Sequence, residues 1–404
     1  MRRGGHRGTG GVPVGGVNPG FRRLSPQYLF REIQKRRIAY ETGHPADEIL
    51  SLGVGDVTRP LAPCITAATA SAAHEMETLG GFHGYPPAFG YDFLRRAIAA
   101  RYAARGVKIA PGEVYVSDGA KTDAAMLPHL FGQVTVVLAD PAYPVYRDAH
   151  LLAGHRVRYL AATPENRFLP TPDGLPPTPH IVYLTSPGNP IGVAYDRAGL
   201  GAWVDYARGS RSLLVFDAAY EAFLGEGGVH SIFEIPGAHS CAIELGSFSK
   251  SAGFTGMRCA WSVCPQETAF DGEPLLPHWE RLKSMSSNGV SYPVQRAAEA
   301  ALTEEGLLAT GNHVRYYLAN ARLLARALTS AGIPFVGGEI SPYLWMRCPG
   351  GETSWAYFDR CLQTRQVIVT PGVGFGGAGE GYVRLSALGT RDTVRRAAER
   401  LFAT

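Results

Sequence analysis

Five times between residues 114 and 245, a short apolar run ends in a loop of unusual residues and gives way to helix-forming sequence. The runs are 114–116, 134–138, 181–184, 213–216 and 242–245. Short, largely apolar runs suit strands covered on both faces, and strands alternating with helices build a mostly parallel sheet with helices on both sides. The predicted fold class is therefore α/β. In such sheets ligands bind beyond the carboxyl ends of the strands. The loops there are Ser-Asp-Gly-Ala-Lys (117–121), Asp-Pro-Ala-Tyr-Pro (140–144), Thr-Ser-Pro-Gly-Asn-Pro (185–190), Asp-Ala-Ala-Tyr (217–220) and the segment around Lys250. All five are expected to converge on one pocket.

Outside this stretch the rhythm changes. Helices are expected at 28–40, 92–104, 294–305, 313–331 and 391–402, and strands at 49–54, near Phe335, and at 343–346, 367–369 and 382–386. The division that follows is a large α/β domain over 61–295 and a smaller α+β domain from 21–60 with 296–404. Residues 1–20, rich in glycine, are expected to form a disordered tail. With 45% hydrophobic and 18% charged residues the chain is an ordinary globular protein, and a net charge of +4 without a basic block disfavours nucleic acid or an anionic membrane as partner. No apolar run approaches the roughly 18 residues of a membrane span. The first twenty residues lack the apolar core of a secretory signal. Six scattered cysteines without a Cys-x-x-Cys pair read as free thiols of a cytoplasmic protein. His74-Glu75 lacks the second histidine of a zinc motif, so no metal site is expected.

The chain has only five lysines: Lys35, Lys108, Lys121, Lys250 and Lys283. Lys35, Lys108 and Lys283 fall in polar or turn settings and are expected to be solvated. Lys121 and Lys250 lie in glycine- and serine-rich loops beside apolar strands. A lysine just past a strand end is partly desolvated, which frees its amine to form an imine with a carbonyl. Ser247 and Ser249 flank Lys250 with hydroxyls, and Arg258 brings a planar fork suited to phosphate. An imine-forming lysine with a phosphate clamp is what pyridoxal 5'-phosphate (PLP) requires. The alternative for Lys250 is a surface lysine.

Other strand-end residues fit the same cofactor, each with a plainer alternative. Asp217 either pairs with a protonated ring nitrogen or caps the following helix. Asn189 and Tyr220 suit a phenolate oxygen, although Asn-Pro also marks a turn. Tyr143 either stacks on a ring or sits in the core. Gly119, Ala120 and Lys121 open a helix whose free N–H groups suit a phosphate. Arg384, alternating with apolar neighbours in a strand, either grips a substrate carboxylate or makes an internal ion pair. Gly-Val-Gly-Phe-Gly-Gly (372–377) mimics a dinucleotide loop, but Pro371 precedes it and a strand follows, so it is taken as chance or a flexible lid.

The order Tyr143, Asn189, Asp217 with Tyr220, Ser-x-Ser-Lys ending at Lys250, Arg258 and Arg384 resembles the fold-type I PLP-dependent aminotransferases over nearly all of 28–401. Within them it is most similar to the LL-diaminopimelate aminotransferases, on Tyr-Leu-Phe (28–30), Gly-Asp-Val-Thr-Arg-Pro-Leu (55–61), Ser-Asp-Gly-Ala-Lys (117–121), Phe-Asp-Ala-Ala-Tyr (216–220) and Ser-Ile-Phe-Glu-Ile-Pro (231–236). The resemblance implies a homodimer with shared active sites, moving an amino group between glutamate/2-oxoglutarate and a polar amino or keto acid. It implies that Lys250 holds the cofactor and shifts the proton, that Asp217 holds the ring nitrogen, and that Asn189 and Tyr220 hold the phenolate oxygen. It places Ala120, Lys121, Ser247, Ser249 and Arg258 around the phosphate, with Tyr85 reaching in from the partner subunit. Tyr28, Gly55, Lys121, Asn189, Asn288 and Arg384 would line the substrate site, Tyr28 and Asn288 from across the dimer. Two departures bear on the substrate. The family's Gly-Tyr-Gly-Pro followed by an acidic residue is Gly-Tyr-Pro-Pro-Ala (84–88) here, and Gly188 replaces an asparagine. An altered substrate, such as a specialised-metabolite building block, is one expectation; elimination, cyclisation or oxidation with the same cofactor is another.

Overall fold

The computed structural model describes residues 16–25, 28–53 and 55–402; most of the tail predicted for 1–20, and Val54 of the predicted strand 49–54, lie outside the described residues. The fold begins with helix α1 (Leu29–Gly43), strand β1 (Leu50–Ser51), α2 (Pro63–Glu75) and α3 (Asp92–Ala103). The layered part follows as β2 (Val114–Ser117), α4 (Ala120–Met126), β3 (Thr135–Asp140), α5 (Pro144–Leu152), β4 (Arg156–Ala161), β5 (Ile181–Thr185), α6 (Arg197–Ser210), β6 (Leu213–Asp217), β7 (Ala242–Ser247), α7 (Phe248–Ser251) and β8 (Ala260–Val263). A small hairpin, β9 (Ala269–Phe270) and β10 (Glu273–Pro274), leads to α8 (Leu276–Ser286), α9 (Tyr292–Ala301) and the long α10 (Glu304–Ser330). The chain ends with β11 (Phe335–Gly337), β12 (Tyr343–Arg347), α11 (Ser354–Arg365), β13 (Val367–Ile368), β14 (Thr370–Pro371), β15 (Tyr382–Ser386) and α12 (Arg391–Phe402).

The large sheet has the order β2-β8-β7-β6-β5-β3-β4, with β8 antiparallel to both neighbours and the rest running one way. All five predicted strands are in it, and the mostly parallel α/β fold expected from the sequence is the one observed. Two of its strands carry no clear sequence signal. β4 is an edge strand with Arg156 and Arg158 turned outward, so it has no continuous apolar run. β8 is a four-residue return strand, too short for periodicity to register. The chain runs β3 to β4 toward one edge and then β5, β6 and β7 toward the other. The reversal lies between β3 and β5, where a crevice opens at the carboxyl ends.

Apolar clusters cover both faces of this sheet, and a separate cluster joins Leu29, Ile33, Tyr40 and Leu50 to Leu324, Trp345, Leu385 and Val394. Pairing of β1 with β13 ties the N-terminal segment to that second core, whose four-stranded sheet is β11-β12-β15-β14. Ala297, Ala298 and Ala301 of α9 pack in the large core, whereas Ala321 and Leu324 of α10 pack in the small one. The change of core therefore falls within α10, later than the boundary expected at 296. The helix break also moves: Thr303 accepts the Gly306 N–H as an N-cap (3.1 Å), and Glu304 and Glu305 favour the positive helix start. A single helix then runs through 304–330, where two separate segments were expected.

One further expectation is corrected and one alternative is removed. Asn18 donates to Leu152 O (2.9 Å) and Arg23 to His155 O (3.1 Å), so ordered packing reaches back into the segment assigned to the tail. The glycine-rich segment 372–377 is no loose lid. Phe375 is buried, its carbonyl accepts the Ala142 N–H (2.9 Å), and Ala378 N–H donates to Asp140 (3.2 Å). These bonds fasten the smaller unit to the end of β3.

Candidate active site

β7 delivers Lys250 to the crevice. Ser247 closes the strand and its hydroxyl accepts the Ser249 N–H (3.1 Å), turning the chain into the single turn of α7. The Lys250 ammonium donates to the carbonyl of Gly55. Burial pushes its pKa down to about 8; Asp56 opposes this, while Arg384 and Arg258 push the same way. The other candidates separate cleanly. Lys121 lies at the mouth, 3.3 Å from the Tyr28 hydroxyl. Lys283, expected to be solvated, is 1% exposed and bonds Asp123 at 2.8 Å, over the Trp279 ring. A helix side chain reaching inward to a partner 160 residues away leaves no local sequence signal.

Gly55, Ala120, Lys121, Tyr143, Asn189, Asp217, Tyr220, Ser247, Ser249, Lys250, Arg258 and Arg384 line one cavity of about 410 Å³. Asp217 ends β6 and is buried; its Oδ1 accepts the Ala219 N–H (2.9 Å) and its Oδ2 the Tyr146 hydroxyl. Burial raises its pKa and these two bonds oppose the rise. It thus holds the turn after β6 and also faces the cavity. The Tyr220 hydroxyl is 2.6 Å from that of Tyr343. Tyr143 caps α5 at the cavity wall, and burial raises its pKa.

Arg384 is 1% exposed and has no acidic partner within 4 Å among the described residues, which removes the internal-ion-pair alternative. One guanidinium nitrogen donates to Asn189 Oδ1 (2.7 Å), another to Gly53 O (2.8 Å), and Nε has no partner. The guanidinium stacks over Tyr343 at 4.4 Å and Phe375 at 5.1 Å. A buried cation so provided is costly unless an anion completes it.

These residues fit PLP. Arg258 adopts φ +65°, a left-handed conformation that costs a non-glycine residue about 1–3 kcal/mol. Its guanidinium occupies space that only Gly119 leaves free, since a Cβ there would lie 2.3 Å from Nη2. Ser247, Ser249 and the first N–H groups of α4 stand beside that fork, an anion-binding set. A buried carboxylate, a desolvated amine and a guanidinium beside two serine hydroxyls line the same cavity.

Three predicted residues are not among the cavity's lining. Tyr28, expected from across the dimer, stands at the mouth of its own chain's cavity beside Lys121. Tyr85 is 87% exposed, and Asn288 is exposed on a second loop; the two loops touch where Gly289 meets Pro87. Sequence reasoning missed Tyr146 and Tyr343. Tyr146 had a signal, lying three residues after Tyr143 on a predicted helix face; Tyr343, in an ordinary apolar strand, had none.

A family model, aminotransferase class I and II, matches residues 47–401. The LL-diaminopimelate aminotransferases of Agathobacter rectalis and Bacteroides fragilis are each 43% identical, over 95% of this chain and 98% of theirs. The solved L,L-diaminopimelate aminotransferase from Chlamydomonas reinhardtii superposes with a TM-score of 0.90 at 38% identity, covering 97% of this chain and 98% of that one. The chain belongs to the class I and II aminotransferases, PLP-dependent enzymes acting on amino and keto acids, and is like the LL-diaminopimelate aminotransferases among them.

Proposed function

We propose that this aminotransferase exchanges an amino group between glutamate/2-oxoglutarate and a polar amino or keto acid. The observation that carries this is Arg384: a buried fork, unpaired by any acid, that shares a cavity with the desolvated Lys250. Bound PLP supplies an aldehyde that captures an amine and a ring that withdraws electrons. Arg384 takes the substrate α-carboxylate in a two-pronged grip, with Asn189 fixing the fork's plane. Lys250, neutral in part near pH 7.5, moves a proton at the substrate α-carbon. Asp217 holds a proton on the ring nitrogen, Tyr220 and Asn189 stand by the phenolate oxygen, and Arg258 with Ser247 and Ser249 holds the phosphate.

The working unit is proposed to be a homodimer. Leu79, Phe82, Tyr85 and Met285 are exposed apolar side chains on and beside the two touching loops, and covering them with a second copy would carry Tyr85 and Asn288 to the neighbouring site. A cytoplasmic location is supported by six free thiols. No described helix is long and apolar enough to cross a membrane.

The far end of the substrate is proposed to differ from that of diaminopimelate. Ala88 offers no carboxylate to a distal ammonium, and leaving a charge unpaired in a closed pocket costs several kcal/mol. Gly188 is neutral in this respect: a Cβ there would meet nothing nearer than 3.5 Å, so the loop before Asn189 is unstrained by either residue. Steady-state assays of glutamate with a panel of keto acids, and of LL-diaminopimelate against other polar amino acids, test the reading. Diaminopimelate turnover at about 10⁴ M⁻¹s⁻¹ or more would overturn the substrate change, and absence of any amino transfer from glutamate would overturn the donor.

A further inference from the structure

Asp217 is a buried carboxylate with no cation within 4 Å among the described residues. A backbone N–H holds one oxygen and a phenol the other. That phenol belongs to Tyr146, which is 1% exposed and stacked on Tyr183 (centroids 4.6 Å apart, planes 25°). Tyr183 comes from β5, and the neighbouring Thr185 is paired in register with Asp217 across β5 and β6. The Thr185 hydroxyl lies 3.3 Å from that of Tyr146 and can donate to it, which leaves the phenol proton for Asp217. The ring of Tyr146 is therefore locked on one side and its hydroxyl oriented on the other.

We infer that Tyr146 is the positioning residue that keeps Asp217 ionised and in plane, and so sets how fully the PLP ring nitrogen is protonated. This rests on the proposed pairing of Asp217 with that nitrogen. A proton shared between ring nitrogen and carboxylate stays on nitrogen when the carboxylate is stabilised as an anion. A phenol donating to the carboxylate does so; removing it lets the proton drift to Asp217 and leaves a neutral, weaker electron sink. Tyr143, the N-cap of α5, and Tyr146, in its first turn, hold their rings 5.8 Å apart edge to face, and both line the cavity.

The test compares two cofactors in the full-length protein: PLP and 3-deaza-PLP, whose ring nitrogen is replaced by C–H. Tyr146→Phe is expected to weaken PLP about tenfold or more, the size of a hydrogen bond to a charged group, and to leave the deaza analogue within about twofold. Ring-labelled ¹⁵N-PLP should shift toward the neutral pyridine. Equal weakening of both cofactors would make Tyr146 a packing residue and overturn the inference, as would no change in either. Asp217→Asn separates this from the underlying reading. If it too fails to distinguish the cofactors, the pairing of Asp217 with the nitrogen is wrong; if it distinguishes them and Tyr146→Phe does not, only the inference falls. In the Asp217→Asn background, Tyr146→Phe should add nothing to the discrimination. Fluorotyrosine at 146, a stronger donor that keeps the shape, covers the case in which phenylalanine does not fold. It must move the ¹⁵N signal toward the pyridinium, and a stationary signal refutes the inference.

Discussion

Replacing Lys250 by methionine in the cofactor-free chain should stabilise it at pH 7 but not at pH 10. A fall in pKa from 10.5 to about 8 corresponds to about 3 kcal/mol against the charged amine in the fold. The folded chain then binds fewer protons than the unfolded one between those values, so this term makes stability rise with pH across that window. The penalty is full below pH 8 and gone above 10.5. Methionine removes it but leaves the Gly55 carbonyl without its donor, a loss of about 1 kcal/mol. The net expectation is a gain of about 2 kcal/mol at pH 7 and about none at pH 10. Urea unfolding of both cofactor-free proteins at the two pH values reads this directly, because every other titrating group is common to both. An offset that is the same at pH 7 and pH 10 would refute the desolvation of Lys250. The functional counterpart is the neutral fraction at pH 7.5, about a quarter for a pKa of 8 against about 0.1% for an ordinary lysine.

Arg384→Lys keeps charge but loses the fork, so kcat/KM should fall about thirtyfold, near 2 kcal/mol, with the PLP absorbance intact; unchanged kinetics with every amino acid tried would remove Arg384 from the substrate site. Gly119→Ala puts a Cβ 2.3 Å from Arg258 Nη2 and should weaken PLP about tenfold while costing the cofactor-free fold less than about 1 kcal/mol, because the displaced group is a flexible tip. Equal PLP affinity by equilibrium titration would contradict the cradle. Lys283→Met strands Asp123 without its cation and should cost about 3–5 kcal/mol in denaturant unfolding, with most of it recovered when Asp123 is made apolar as well.

The positions of five strands and most of the cavity lining were legible early because both are written in local chemistry. Apolar runs of three to five residues place β2, β3, β5, β6 and β7, and residues just past a parallel strand's carboxyl end share a crevice wherever the helices go. Lys250 stood out by elimination among five lysines, and Asp217 by its position straight after an apolar run. A sequence could not show that β8 turns back between β2 and β7, since strand direction is settled by pairing partners.

Local residue patterns therefore specify the class of fold and the set of groups delivered to one end of the sheet. The tertiary structure alone decided which of those groups are paired. Arg384 had two readings until its neighbours proved to be Asn189, Gly53 and two aromatic rings with no acid among them. Lys283 looked solvated until α8 packed it against Asp123, and Tyr146 reached Asp217 only when α5 settled beside the end of β6. The loops that carry Tyr85 and Asn288 touch at Pro87 and Gly289 although 203 positions separate those two residues in sequence. The physical reason is common to all: a charge's effect depends on burial and on its partners within a few ångströms, and those distances exist only once remote segments have packed.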